Sequence, residues 1–139
     1  RVQKLPMGID LTLLLLSARI TEMDKTIEYT EKGVIMSSAI ARFVSLVVKI
    51  PQKKMHHAMP MHLMAQELGL PKHLVDLRHE IVHAADSPIQ STTLHLALNT
   101  AWDWLKDFYW VTEETKFLTE LNIDPTQERE EETISLFGP

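Results

Sequence analysis

Nowhere does this chain alternate apolar and polar residues with the period of two that a half-buried strand requires. Its apolar residues return at three and four instead. That pattern makes the fold class all-α, and Pro, Gly and polar stretches cut it into about five helices. The spacing predicts a first helix over 9–23, capped by Asp10 or Thr12, apolar on most sides and therefore buried. A second covers 34–50, entered through Gly33 and ended by Pro51, with Ile40, Phe43, Val44 and Val47 in one stripe. A short third spans 61–67, closed by Gly69 in a left-handed cap, and a fourth spans 71–85. The fifth starts at Ser91 or Thr92 and reaches 111, with Leu94, Leu98, Ala101, Leu105 and Phe108 on one face. Large aromatics at helical spacing are core formers more often than base-stacking platforms, so Trp104 is expected inside with Leu105 and Phe108.

At 139 residues the length suits one domain with a real core. The absence of cysteine removes disulfides, a thiol nucleophile and thiolate metal sites. The run 13–16 is too short to span a bilayer and is broken by Arg19, so no membrane partner is expected. Because it begins at Arg1, the chain reads as a piece of something longer. The net charge of −5 is unevenly placed: residues 113–139 carry −6 and residues 1–112 carry +1. This divides the chain into a domain over 1–112 and an acidic tail over 113–139, loose beyond Glu120 unless a partner orders it. In the basic linker 51–59, Lys53, Lys54, His56 and His57 are weak candidates for RNA phosphate contacts.

The fourth helix, PKHLVDLRHEIVHAA, carries two overlapping motifs. His79, Glu80 and His83 spell the HExxH of zinc hydrolases. A zinc site needs a third ligand. The H-E-x-x-H-x-x-G-x-x-H pattern fails at Asp86 and Ile89, and the first later glutamates are Glu113, Glu114 and Glu120. Glu120 and Asp124 imitate a downstream E-x-x-x-D, within the tail, and His95 resembles any helix histidine. Arg78, His79 and His83 also spell R-H-x-x-x-H, a set suited to metal-free RNA cleavage. Two imidazoles can serve as base and acid near neutral pH, and a guanidinium can hold the charge that develops on phosphorus.

With Leu74 at zero on an ideal helix, the buried sector runs from about 300° through zero to about 20°. His79 and His83 fall near 140° and 180°, at the edge of the polar face, and Arg78 falls near 40°, within the apolar sector. An arginine there needs an anion or carboxylate partner, an interface, or room to snorkel. One helix cannot easily wrap all three side chains around a single phosphate, whereas two copies across a twofold axis can.

Three blocks, AIARFVSLV at 39–47, LMAQELGLPKHLVDLRHEIVHA at 63–84 and ALNTAWDWLKDFYW at 97–110, resemble the HEPN domain of the Las-one family of precursor-ribosomal-RNA endoribonucleases. The resemblance implies a HEPN-type helical bundle that forms a homodimer through the motif helix. Arg78 would stabilise the phosphate, and His79 and His83 would divide the acid and base roles. It further implies cleavage of the second internal transcribed spacer to a 2′,3′-cyclic phosphate and a 5′-hydroxyl, without metal or cofactor. A polynucleotide 5′-hydroxyl kinase would be the partner, in the nucleolus of the nucleus. The chain departs from the family pattern at Ser45, where asparagine is common, and at 86–89, usually close to L-P-S-L. A non-catalytic dimerisation or scaffold module and a zinc hydrolase remain as alternatives.

Overall fold

The computed structural model describes residues 4–52, 59–83 and 87–122, and among these every regular element is helical. The chain divides into two compact units, Arg1–Leu105 and Lys106–Pro139. The first contains α1 (Lys4–Met23), α2 (Tyr29–Gln52), α3 (Met61–Leu68), α4 (Lys72–His83) and α5 (Ser91–Leu105). The second opens with a π-helical turn, Lys106–Trp110, followed by α6 (Val111–Glu120).

α2 is the centre of the first unit and touches α1, α3, α4 and α5. Ile40, Phe43, Val44 and Val47, the stripe expected from spacing, are completely buried. α1 brings Leu11, Leu15 and Ala18 against this core, α4 brings Leu74 and Leu77, and α5 brings Leu94, Leu98, Ala101 and Leu105. Each such large side chain is worth about 1.5–3 kcal/mol removed from water. By length and composition α2 could also cross a bilayer, but here its apolar face forms the core. Trp104 is in this core as expected, edge-on to Phe43 at 6.1 Å between ring centroids and donating its indole N–H to the Leu68 carbonyl at 3.1 Å.

The local signals hold at several ends. Asp24 accepts from the Thr26 N–H at 2.9 Å and its hydroxyl at 2.7 Å, forming the turn between α1 and α2. Gly69 has φ 68°, its N–H reaches the Gln66 carbonyl, and the Leu70 N–H reaches the Ala65 carbonyl at 2.9 Å. This pair of bonds is the Schellman pattern expected of a left-handed cap.

Several expectations change: α1 starts at Lys4, so Asp10 and Thr12 lie inside it and do not cap it, and α2 runs past Pro51 to Gln52. α1 is buried on one side only: Ile9, Leu13, Leu16, Ile20 and Met23 are all at least two-fifths exposed. The reason is that its neighbours, α2 and α5, pack against a single face. α2 begins at Tyr29 and continues through Gly33, because packing outweighs the roughly 1 kcal/mol that glycine costs in a helix. Helical structure also continues past residue 111 as α6, where Glu113 and Lys116 pair one turn apart at 3.7 Å.

A polar clamp joins α1 to α5. Arg19 donates to Glu22 and to the Asn99 side-chain carbonyl, and Glu22 meets His95 Nδ1 at 2.8 Å. Asn99 lies 3.3 Å from the other imidazole nitrogen, and Lys32 donates to the Glu22 carbonyl at 2.9 Å. Burial pushes the Glu22 carboxyl up, but hydrogen bonds and charge from His95 and Arg19 outweigh it and hold it below its ordinary value.

A carboxyl depressed on folding stabilises the native state above its unfolded pKa and loses that effect as pH falls through the folded value. Wild type should therefore exceed Glu22→Gln by about 1 kcal/mol near pH 6, the difference closing as the pH falls below the ordinary glutamate value in urea unfolding series. A difference independent of pH would contradict the clamp. The two glycines should respond oppositely to alanine, since a Cβ at either meets nothing within 4 Å. Gly69→Ala should lose about 1 kcal/mol to the left-handed backbone, and Gly33→Ala, inside α2, should gain up to about 1 kcal/mol, both read from urea midpoints.

Candidate active site

α4 presents two different faces. Leu74, Val75 and Leu77 are buried, while Asp76, His79, Glu80 and His83 are exposed. His79 and His83, one turn apart, bring their rings to 4.5 Å between centroids at 47° to one another. They stand at the surface as the helix angles require.

Arg78 points elsewhere. It is half-buried, and its Nε–H donates to the Ser45 hydroxyl of α2 at 2.9 Å. Of the alternatives that its angle left open, a carboxylate is not what holds it: among the described residues no Asp or Glu lies within ion-pairing distance. A neutral hydroxyl therefore orients the guanidinium without cancelling its charge. With Nε committed to Ser45, the two terminal nitrogens keep four N–H donors in the fork that matches a phosphate.

A cavity of about 300 Å³ between α3 and α4 is lined by Met61, His62, Val75, Asp76, Arg78 and His79. Arg78 and His79 meet there despite their angular separation. His83 does not line it, and reaches the group only through His79. So one chain assembles two of the three motif residues around one space and leaves the third beside it.

Lys53, Lys54, His56 and His57 lie outside the described residues. Among the described residues no three His, Asp or Glu side chains converge as metal ligands. His95, considered above as a third ligand, is engaged by Glu22 and Asn99 in the α1–α5 clamp.

Ser45, His62 and Asp76 were not singled out as site residues. Asp76 had a usable signal, being three residues before His79 on the same face. Ser45 and His62 had none, because their place at the site depends on how α2 and α3 lie against α4.

Comparison with known proteins agrees with the motif-bearing blocks. The chain is 41% identical over 76 residues to Protein LAS1 of Saccharomyces cerevisiae, covering 55% of this chain and 15% of that protein. It is 30% identical over 107 residues to the pre-rRNA-processing protein las1 of Schizosaccharomyces pombe, covering 77% of this chain and 21% of that one. It is 27% identical over 137 residues to the mouse ribosomal biogenesis protein LAS1L, covering 93% and 17%. The chain thus spans about a fifth or less of the length of these relatives. No solved structure matches it. The model of the Las1-like family matches residues 1–112, a span that holds all of the bundle from α1 to α5 together with Arg78, His79 and His83, and the chain belongs to that family.

Proposed function

We propose that this chain is the RNA-cleaving HEPN domain of a pre-rRNA-processing protein of ribosome biogenesis. The observation that carries this reading is the arrangement on α4: two exposed imidazoles 4.5 Å apart, the first sharing a cavity with an arginine whose terminal nitrogens are not taken by a carboxylate among the described residues. The relatives' names, which speak of pre-rRNA processing and ribosomal biogenesis, support it.

The chemistry follows from the side chains. One imidazole takes the proton of the ribose 2′-hydroxyl as its oxygen attacks phosphorus. The other gives a proton to the 5′-oxygen as the P–O5′ bond breaks, and Arg78 stabilises the charge gathered on the equatorial oxygens. The products are a 2′,3′-cyclic phosphate and a 5′-hydroxyl, and no step calls for a metal. Arg78 and His83 lie about 140° apart on the helix, so the site is completed by a second copy across a twofold axis through α4. The substrate is the second internal transcribed spacer, in the nucleolus. A polynucleotide 5′-hydroxyl kinase takes up the new end, and residues 113–139 are the segment assigned to that partnership.

A second reading, a non-catalytic helical module that recruits a partner, draws on a separate observation. Ile9, Leu13, Leu16, Ile20 and Met23 form an exposed seam on α1 at alternating spacings of four and three, the spacing one helix offers another. That reading expects partner or RNA binding indifferent to the α4 motif.

The deciding experiment incubates the protein and its kinase partner with labelled spacer RNA in excess EDTA and identifies the new ends. We expect cyclic phosphate and 5′-hydroxyl ends, reduced at least about 100-fold by Arg78→Ala, His79→Ala or His83→Ala with circular dichroism unchanged. Cutting by His83→Ala at the wild-type rate would discard the assignment. Ser45→Ala should lower kcat about fivefold, the equivalent of one hydrogen bond of about 1 kcal/mol, and Ser45→Thr should restore it. An unchanged kcat in Ser45→Ala would mean that the hydroxyl does not orient Arg78.

A further inference from the structure

We propose that the cavity between α3 and α4 is a nucleobase pocket that selects guanine on the nucleotide whose 2′-hydroxyl attacks. The inference rests on the nuclease reading above and adds the substrate preference of the same site.

Position comes first. Two of the three motif residues, Arg78 and His79, line this cavity. A phosphate held by them leaves the neighbouring ribose and its base at the cavity mouth, because a nucleotide is only a few bonds long. About 300 Å³ is at the small end of ligand pockets and suits one base. Val75, 8% exposed, and the half-buried Met61 give an apolar surface for the flat face of a ring, and the His62 imidazole adds an aromatic surface at the start of α3.

Asp76 decides which base. A carboxylate beside a phosphate site works against a polyanion unless it faces a hydrogen-bond donor. Its one ion pair among the described residues, to Lys72, is long at 3.9 Å, and both side chains are mostly exposed, so its oxygens stay available. It makes no hydrogen bond to His79, one turn away, and is not part of an acid–base pair with it in this structure.

Of the four RNA bases, guanine alone offers two adjacent donors, N1–H and N2–H₂, spaced for the two oxygens of one carboxylate. Adenine and cytosine set one amino group beside a ring nitrogen that is itself an acceptor and would face the second oxygen. Uracil offers a single N–H between two carbonyls. A carboxylate on the rim therefore accepts guanine and opposes the other three.

The test uses the full-length protein with its kinase partner and RNA substrates that differ only in the base 5′ to the scissile phosphate: guanine, adenine, cytosine, uracil, or hypoxanthine, which lacks the N2 amino group. Guanine should be cut with kcat/KM about 5–100-fold above adenine, with hypoxanthine between them. Asp76→Asn should slow guanine and abolish its advantage over adenine, whose rate should rise as an amide donor replaces the oxygen that opposed its ring nitrogen. Base-indifferent cutting by wild type, or a guanine preference that survives Asp76→Asn, would overturn the pocket while leaving the His83-dependent nuclease intact. A uniform loss over all bases with a shifted pH profile would make Asp76 a positioning residue for His79 and would equally overturn it. Cutting of none of the substrates by wild type would remove the nuclease reading itself, and the pocket with it.

Discussion

The burial of one face of α2 is the constraint on which the first unit depends. Ile40, Phe43, Val44 and Val47 are removed from water completely, and four other helices do the covering. Since side chains three and four apart share a face, fixing this stripe fixes what every other position on α2 can reach. Ser45, two residues after Phe43, is thereby turned from the deepest core toward α4, where its hydroxyl meets Arg78. The geometry of the candidate site thus begins in the hydrophobic packing of a helix that carries none of the motif.

The choice of partner for Arg78 matters as much as its position. A carboxylate in place of Ser45 would form a stronger bond but would offset the charge that the proposed phosphate would meet there. A hydroxyl satisfies one N–H, keeps the guanidinium plane in place and leaves the net charge untouched. The half-burial of Arg78 adds to this, since a cation with less water around it interacts more strongly with an arriving anion. Asp76 stands on the opposite side of that balance, a negative group at the rim of the same cavity, paired among the described residues with an exposed lysine one turn back. In the proposed reading, positive charge meets the backbone and negative charge a base edge, the division that reading an RNA requires.

Much of this was legible in the sequence, and the boundary of legibility follows sequence distance. The all-α class, the α2 stripe, the Gly69 cap and the placement of Trp104 in the core rest on neighbours within a turn or two, which spacing reports directly. The angular split between Arg78 and the two histidines was likewise fixed by the helix period. Contacts between distant segments were not readable: Arg78 to Ser45 spans 33 residues, and Arg19 to Asn99 spans 80. Nothing local marks Asn99, His95 or Ser45 as partners of anything. The exposed side of α1 was misread for a related reason, since an apolar helix looks the same in sequence whether its second face meets its own chain or something else. Gly33 was taken as the entry to α2, yet the helix runs through it, because local preference is weaker than packing and hydrogen bonding; the π-helical turn at Lys106–Trp110 lies within the span read as one regular helix to 111.

The modest anchoring of α4 is the final piece of this logic. Among its twelve residues only Leu74, Val75 and Leu77 are buried, and the Arg78–Ser45 hydrogen bond adds one polar tie to α2. A helix more deeply embedded would hold its backbone more firmly, but each additional buried face would take the place of a side chain now turned to solvent. In the proposed reaction His79 and His83 would need solvent, because a base and an acid must exchange protons with substrate and water. The remaining apolar surface at the end of this helix is Val82, 49% exposed one residue before His83. Exposed apolar area next to a pair of imidazoles, on a helix whose third motif residue faces a different sector, is what a site shared between two copies would need. A second α4 covering Val82 would exclude water from one side of the histidines and bring a second set of the three motif residues beside the first.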